Sequence, residues 1–254
     1  VGIGIGTVIG VVLLFTMVWL GNVFPLSLSL NTWIILLMIY IFIASTAPVW
    51  ILLQPRDYLN SFLLYAMIAG AVLGIFIARP EIQLAPVTAF NVNGNWMFPM
   101  LFVIVACGAI SGFHSLVGSG TTSKQLDNEK DTKVIGYGAM LIEGVLAIIA
   151  LITAAYVTQG ELGELLKGGP VNVFSNGVGT FMSAFGVPLA IGKSFVALAV
   201  SAFALTSLDT ATRLARFIFQ EFFDKPGVKK QSIMANMYLS TGITRSEEHT
   251  SELQ

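Results

Sequence analysis

The first 55 residues of the chain, Val1 to Pro55, contain no Lys, Arg, Asp or Glu. Further uncharged stretches run from Tyr58 to Ala78, from Ile82 to Phe113, and between Lys193 and Asp209. Each approaches or exceeds the roughly 15 to 20 residues that a helix needs to cross the hydrocarbon core of a bilayer. Charged residues make up only 11% of the chain, where a soluble domain carries about a quarter. The expected fold is all-α, a polytopic transmembrane helix bundle whose partner is the lipid bilayer.

Apolar runs set against turn signals place six spans, at about 1–20, 32–53, 59–78, 96–116, 134–157 and 188–209. Trp33 and Trp50 bracket the second run and read as interface anchors about 26 Å apart along one helix. With six spans, alternate loops sort the basic residues unevenly. Arg56, Lys124, Lys130, Lys133, Arg213, Arg216, Lys225, Lys229 and Lys230 fall on one side, against Arg79 and Lys167, with Lys193 just inside the sixth span, on the other. The richer side is expected to face the cytoplasm. Glycines four residues apart (Gly2, Gly6 and Gly10; Gly70 and Gly74; Gly108 and Gly112) suit close helix packing in lipid.

Several function classes fall away on composition. A net charge of −1 offers no basic surface for nucleic acid. The single cysteine, Cys107, permits neither an internal disulfide nor a thiolate pair for a metal, and it reads as a small packing residue. No metal or other cofactor is expected. An intramembrane enzyme would want paired catalytic groups, which one credible histidine and one deep acid do not supply.

The chain opens at Val1 inside an apolar, glycine-rich stretch and reads as a piece of a longer protein, not a signal peptide. Residues 1–244 form the expected partial membrane domain. The abruptly polar run from Arg245 to Gln254, with His249, is expected to be a non-native tail.

Polar groups inside spans carry the functional reading. Pro48 has no N–H and leaves the Ala44 carbonyl free near Ser45 and Thr46, so the second helix is expected to be kinked or broken there. Broken helices that line a cavity are a common way to build substrate and ion sites. Between the fourth and fifth spans, Ser115, Gly118, Ser119, Gly120, Thr121 and Thr122 form the richest polar cluster, a turn whose donors suit an anion or cap the segment that follows. It is not a phosphate-binding Walker loop, because Lys124 follows Ser123 and not a glycine.

Glu143 is the one acid deep in a span, about 13 Å past Val134. It shares a face with Gly136, Ala139, Met140, Leu146 and Ala147, which is expected to pack into the bundle. A carboxyl in a low-dielectric surround is costly to ionise, which suits a proton carrier or, equally, a protonated structural acid. His114 is a second proton-coupling candidate, with an interfacial structural role as its alternative. Lys193 is read as pairing with an acid, attracting an anion, or snorkelling to the outer interface. Asp209, Arg213 and Arg216 fall at i, i+4 and i+7 on one face, and an intrahelical salt bridge is expected. From Phe217 to Asp224 the chain turns amphipathic, as a segment lying at the cytoplasmic interface would.

Four segments also carry a family likeness: Pro48-Val-Trp-Ile-Leu-Leu-Gln-Pro-Arg-Asp-Tyr-Leu59, Ala106-Cys-Gly-Ala-Ile-Ser-Gly-Phe-His-Ser-Leu-Val-Gly-Ser-Gly-Thr-Thr122, Ile135-Gly-Tyr-Gly-Ala-Met-Leu-Ile-Glu-Gly144 and Ser207-Leu-Asp-Thr-Ala-Thr-Arg-Leu-Ala-Arg-Phe217. They resemble the carbon starvation protein A family of bacterial inner-membrane transporters, and the likeness runs from Val1 to about Thr244. The resemblance implies a secondary transporter of peptides or pyruvate-like carboxylates, driven by protons or Na⁺ and made when preferred carbon runs short. It also implies a kinship with inverted-repeat transporter folds, and that helices before and after this stretch belong to the whole protein. The alternative is a membrane signalling or scaffold protein without substrate flux. Thr158 to Val187 resembles a shortened form of the stretch found in pyruvate-type members. Substrate, coupling ion and oligomeric state stay open at this point.

Overall fold

The computed structural model describes residues 3–47, 49–87, 89–92, 94–110 and 112–223. Among these it is almost wholly helical: α1 (Ile3–Val23), α2 (Leu30–Thr46), α3 (Val49–Ala78), α4 (Met97–Ile110), α5 (Gly112–Gly120), α6 (Asp131–Ala155), α7 (Gln159–Leu166), α8 (Pro170–Ser183) and α9 (Leu189–Phe223). A 3-10 turn at Thr122–Lys124 follows α5, and a two-residue antiparallel ladder, β1 (Asn91–Val92) with β2 (Asn95–Trp96), precedes α4. Four helices are long and apolar enough to cross a membrane: α1, the Gln54–Ala78 part of α3, α6 and α9. Two shorter apolar helices, α2 and the Met97–Ala106 part of α4, accompany them.

The six expected spans therefore need correction. Ser29 caps α2 by accepting from the Thr32 N–H at 3.3 Å, and the helix ends at Thr46 because Ala47 is held extended (φ −67°, ψ 147°), the conformation forced on a residue before proline. Pro48 itself lies outside the described residues. Beyond it α3 runs for 30 residues through Pro55, so the loop expected around Arg56 is a helix. The ruler drawn from Trp33 to Trp50 fails for the same reason: the two residues belong to different helices. The fourth expected span takes in α4 and the first part of α5, with residue 111 outside the described residues. The sixth continues without interruption to Phe223, so the amphipathic segment is the last part of α9 and not a separate interfacial piece. At 35 residues α9 is about 52 Å long, well over a bilayer's hydrocarbon thickness of about 30 Å.

Two compact units divide the chain. The first takes in residues 1–62 and those from 201 onward; the second comprises Leu63–Val200. In the second unit α8 starts with Pro170 at its first turn and buries Val173, Val178 and Phe181. The expected close packing at Gly70 and Gly74 is present there: a Cβ on Gly74 would lie 2.5 Å from the Phe181 carbonyl oxygen, so only glycine admits the α8 backbone. The Tyr156 and Phe181 rings meet edge to face at 5.0 Å. Gln83 and Leu84 donate backbone N–H groups to the Ala155 carbonyl and close the end of α6. Thr158 and Glu161 form a capping box on α7, and those hydrogen bonds hold the exposed Glu161 carboxyl below its usual pKa.

Other glycine expectations are met in part. Gly6 has open space around it, whereas Gly10 does sit close to a neighbouring helix, since a Cβ there would lie 2.9 Å from the Leu59 side chain on α3. The packing of Gly2, Gly108 and Gly112, the side chains of Trp50 and Cys107, and the expected tail at 245–254 lie outside the described residues.

Candidate functional site

Buried charge is concentrated in the first unit, where α2 stops. Asp209 on α9 is 0% exposed, and Arg213 and Arg216 on the same helix are each 4% exposed. Asp209 does not bridge to Arg213. Its Oδ2 accepts from Arg56 Nη1 on α3 and from the Tyr40 hydroxyl on α2 at 3.1 Å, and the same Arg56 nitrogen donates to the Tyr40 oxygen at 2.5 Å. Arg56 Nη2 also lies 3.5 Å from Asp57 Oδ1, nearer the surface. The intrahelical salt bridge expected from the i, i+4 spacing is thus replaced by a link between three helices. Arg56 stands inside a helix because its charge is neutralised across space, which no count of loop residues registers.

The free carbonyl expected at Ala44 is present and is taken. Arg213 Nη2 donates to the Ala44 oxygen at 2.6 Å and to the Ala47 oxygen at 2.9 Å, while Arg216 Nη1 donates to the Ser45 oxygen at 2.5 Å. A helix C-terminus carries orphan carbonyls and roughly half a negative charge, so two guanidiniums satisfy both its hydrogen bonding and its dipole. The Arg216 guanidinium also lies 4.7 Å from the centre of the Phe217 ring. Ser45 is fully buried, and Thr46 turns its hydroxyl back to the Phe42 and Ile43 carbonyls. Nearby, Asn60 reaches Thr206 at 3.1 Å, and Thr206, Thr210 and Thr212 each donate to the carbonyl four residues back along α9.

Among the described residues several buried polar atoms of this cluster have no hydrogen-bond partner: Ser45 Oγ, Arg56 Nε and Nη2, Asp209 Oδ1, Arg213 Nε and Arg216 Nε. Native interiors rarely leave such groups unsatisfied. Of this constellation, sequence reasoning identified Ser45, Asp209, Arg213 and Arg216 but missed Tyr40 and Arg56. A lone arginine beside apolar runs on both sides was the available signal.

The other sequence candidates belong to the second unit. Glu143 stands at the middle of α6 and is exposed, and most of the face it shares is not packed among the described residues: Gly136 has nothing within 4 Å, and Ala139, Met140 and Ala147 are exposed. The buried side of α6 is formed by Ile149 and Thr153, about 80 to 120° around the helix from Glu143. His114 and Ser115 are exposed on α5, which also contains Gly118, Ser119 and Gly120. Ser119 donates to the Ser115 carbonyl at 2.9 Å and Ser123 to the Ser119 carbonyl at 2.7 Å, so these hydroxyls serve their own helix end. Thr121 and Thr122 are half-buried at the 3-10 turn. The region is a helix end and not the open turn expected. Lys193 is half-buried early in α9, and no ion pair includes it among the described residues. The second unit also has a hollow of about 480 Å³ lined by Thr153, Leu162, Leu166, Val173, Phe174 and Val200, whose lining is apolar.

Comparison with known proteins bears on this arrangement. The family model described as "Carbon starvation protein CstA" matches residues 1–166 and 158–251. The chain is 33% identical over 255 residues to the peptide transporter CstA of Bacillus subtilis (strain 168), covering 85% of this chain and 43% of that protein. It is 41% identical over 172 residues to the pyruvate/proton symporter BtsT of Escherichia coli (strain K12), covering 62% of this chain and 24% of the relative. With the peptide transporter CstA of Mycobacterium tuberculosis (strain ATCC 25618 / H37Rv) it shares 48% identity over 139 residues, covering 52% of this chain and 18% of the relative. The chain thus spans less than half the length of these relatives. No solved structure matches it. With several membrane-length helices and a family match extending over most of its length, this chain is a multi-pass bacterial membrane protein of the CstA family, whose reported relatives are named as transporters and not as enzymes.

Proposed function

We propose that the full-length protein is a secondary active transporter importing a small carbon source, a peptide or a pyruvate-like carboxylate, with protons as the coupling ion. The names of the relatives support both substrate classes and, for one of them, the proton. The observation that carries the reading is the set of charged side chains buried against the interrupted end of α2. Ionisable groups inside membrane-length helices are costly and mark transport pathways, and unwound backbone at membrane depth is tolerated where it is buried in protein or lines a path.

Of the two substrate regions read from the sequence, the broken end with Ser45 and Thr46 is the stronger. The Ser115 to Thr122 hydroxyls are partly engaged within their own helix end and are kept as the second candidate region. Glu143 carries the coupling proton, with His114 as a second carrier. Glu143 is exposed at the middle of a membrane-length helix, where a carboxyl is expected to meet a partner or a water-filled path in the working protein.

Uptake of labelled pyruvate and labelled dipeptide into proteoliposomes containing the full-length protein tests the reading, with and without an inward pH gradient. Gradient-stimulated uptake of at least one substrate is expected, and Glu143→Gln should abolish the stimulation. Equal stimulation in that variant would remove Glu143 from the coupling. Absence of flux for every substrate would favour the signalling or scaffold alternative.

A further inference from the structure

The charges around the end of α2 do not balance. Arg56 faces Asp209 directly and has Asp57 beside it, so two carboxylates attend one guanidinium. Among the described residues Arg213 and Arg216 have only carbonyl oxygens as acceptors, with the α2 dipole and Asp209, one turn back along α9, as partial compensation. Their Nε–H groups and the Ser45 hydroxyl are buried and unpartnered. An unpaired guanidinium in a low-dielectric interior is among the costliest arrangements a fold can hold, unless a counter-charge arrives.

We propose that Arg213, Arg216 and Ser45, at the interrupted end of α2, form a binding site for a single carboxylate group, which is the substrate's recognition element. This rests on the transport reading above and adds to it where the substrate is held and by which chemistry. One carboxylate supplies a single negative charge and two oxygens with about four lone-pair directions, enough to accept from both Nε–H groups and the Ser45 hydroxyl. Both guanidiniums reach from α9 to backbone carbonyls within residues 44–47, the stretch that also carries the buried Ser45 hydroxyl, so the three groups belong to one turn at the end of α2. The atoms are shut off from solvent in this conformation, as an occluded site requires.

In this proposal the unpartnered Asp209 Oδ1, one turn before Arg213 on α9, is the acceptor that tells the two substrate sources apart. A peptide has a free amine to donate to it, and pyruvate has no such donor.

Binding of pyruvate, methyl pyruvate, a dipeptide and the same dipeptide with its C-terminus amidated, measured on the purified full-length protein, decides the matter. Uptake by the same preparation runs in parallel, and gel filtration confirms folding. The free acids should bind about tenfold or more tightly than the ester and the amide. Ser45→Ala and Arg216→Gln should erase most of that difference, and Arg216→Lys should restore part of what Arg216→Gln loses. Loss of all binding to a misfolded Arg216→Gln protein would not count, because Ser45→Ala leaves every charge in place and reads the same discrimination. A wild-type protein that transports yet binds acid and amide equally would overturn the site and spare the transport reading, as would full discrimination that survives in Ser45→Ala or in a folded Arg216→Gln protein. Carboxylates that bind with full discrimination but are never moved would support the site and overturn transport. A protein that binds none of the four would overturn the site outright.

Discussion

At Asp209 a carboxylate 0% exposed is held by an arginine and a tyrosine from two other helices, the arginine 153 residues away in the chain. Removing one partner of a buried pair leaves the other charge uncompensated, which costs about 3 to 5 kcal/mol, whereas replacing both with apolar groups of like size is often neutral. Arg56→Met alone should therefore lower the thermal midpoint of the purified full-length protein sharply, and adding Asp209→Leu should recover most of the loss. A double variant as unstable as the single one would show that the pair does more than compensate charge. Spacing in the sequence put Asp209, Arg213 and Arg216 on one face of a helix correctly, but it assigned them to each other. Their partners come from α2 and α3, and helix spacing holds no information on which element packs against that face.

For the helices, the most legible feature was the interruption near Pro48. The lost N–H predicts a free Ala44 carbonyl, and the structure supplies Arg213 to take it. Pro48→Ala should allow the backbone to continue from α2 toward α3, give Ala44 a backbone donor and displace Arg213. Uptake by the full-length protein should then fall well below wild type, and unchanged uptake would mean that the interruption is not part of the path. Where the sequence misled, at residues 54–58, a proline and two charges looked like a loop. The helix passes through because Arg56 finds Asp209 and Tyr40 across space. Gly70 and Gly74 were legible as packing residues, since a missing Cβ has one obvious use in a helix bundle. Gly74→Ala drives a methyl group against the Phe181 backbone. Overpacking of this kind costs about 1 to 3 kcal/mol, and a matching drop in thermal stability is expected with the substrate preference unchanged. Glu143 and Ser115 were expected to face the bundle or a polar turn and are exposed instead. A polar residue in an apolar run announces itself, but the direction it faces is set by helices packed around it.

For the molecule as a whole, the membrane class followed from uncharged runs alone, and the family followed from four segments that spacing rules do not explain. The account holds that charged groups buried against a broken helix are the transport centre and more than struts for the fold. The direct measurement is pH-gradient-driven uptake of labelled substrate into proteoliposomes at matched amounts of folded full-length protein, wild type against Arg216→Gln. The account predicts that the variant loses most of its uptake, with the apparent KM raised at least about tenfold for any remaining flux. A folded variant that transports with wild-type rate and wild-type KM would contradict it.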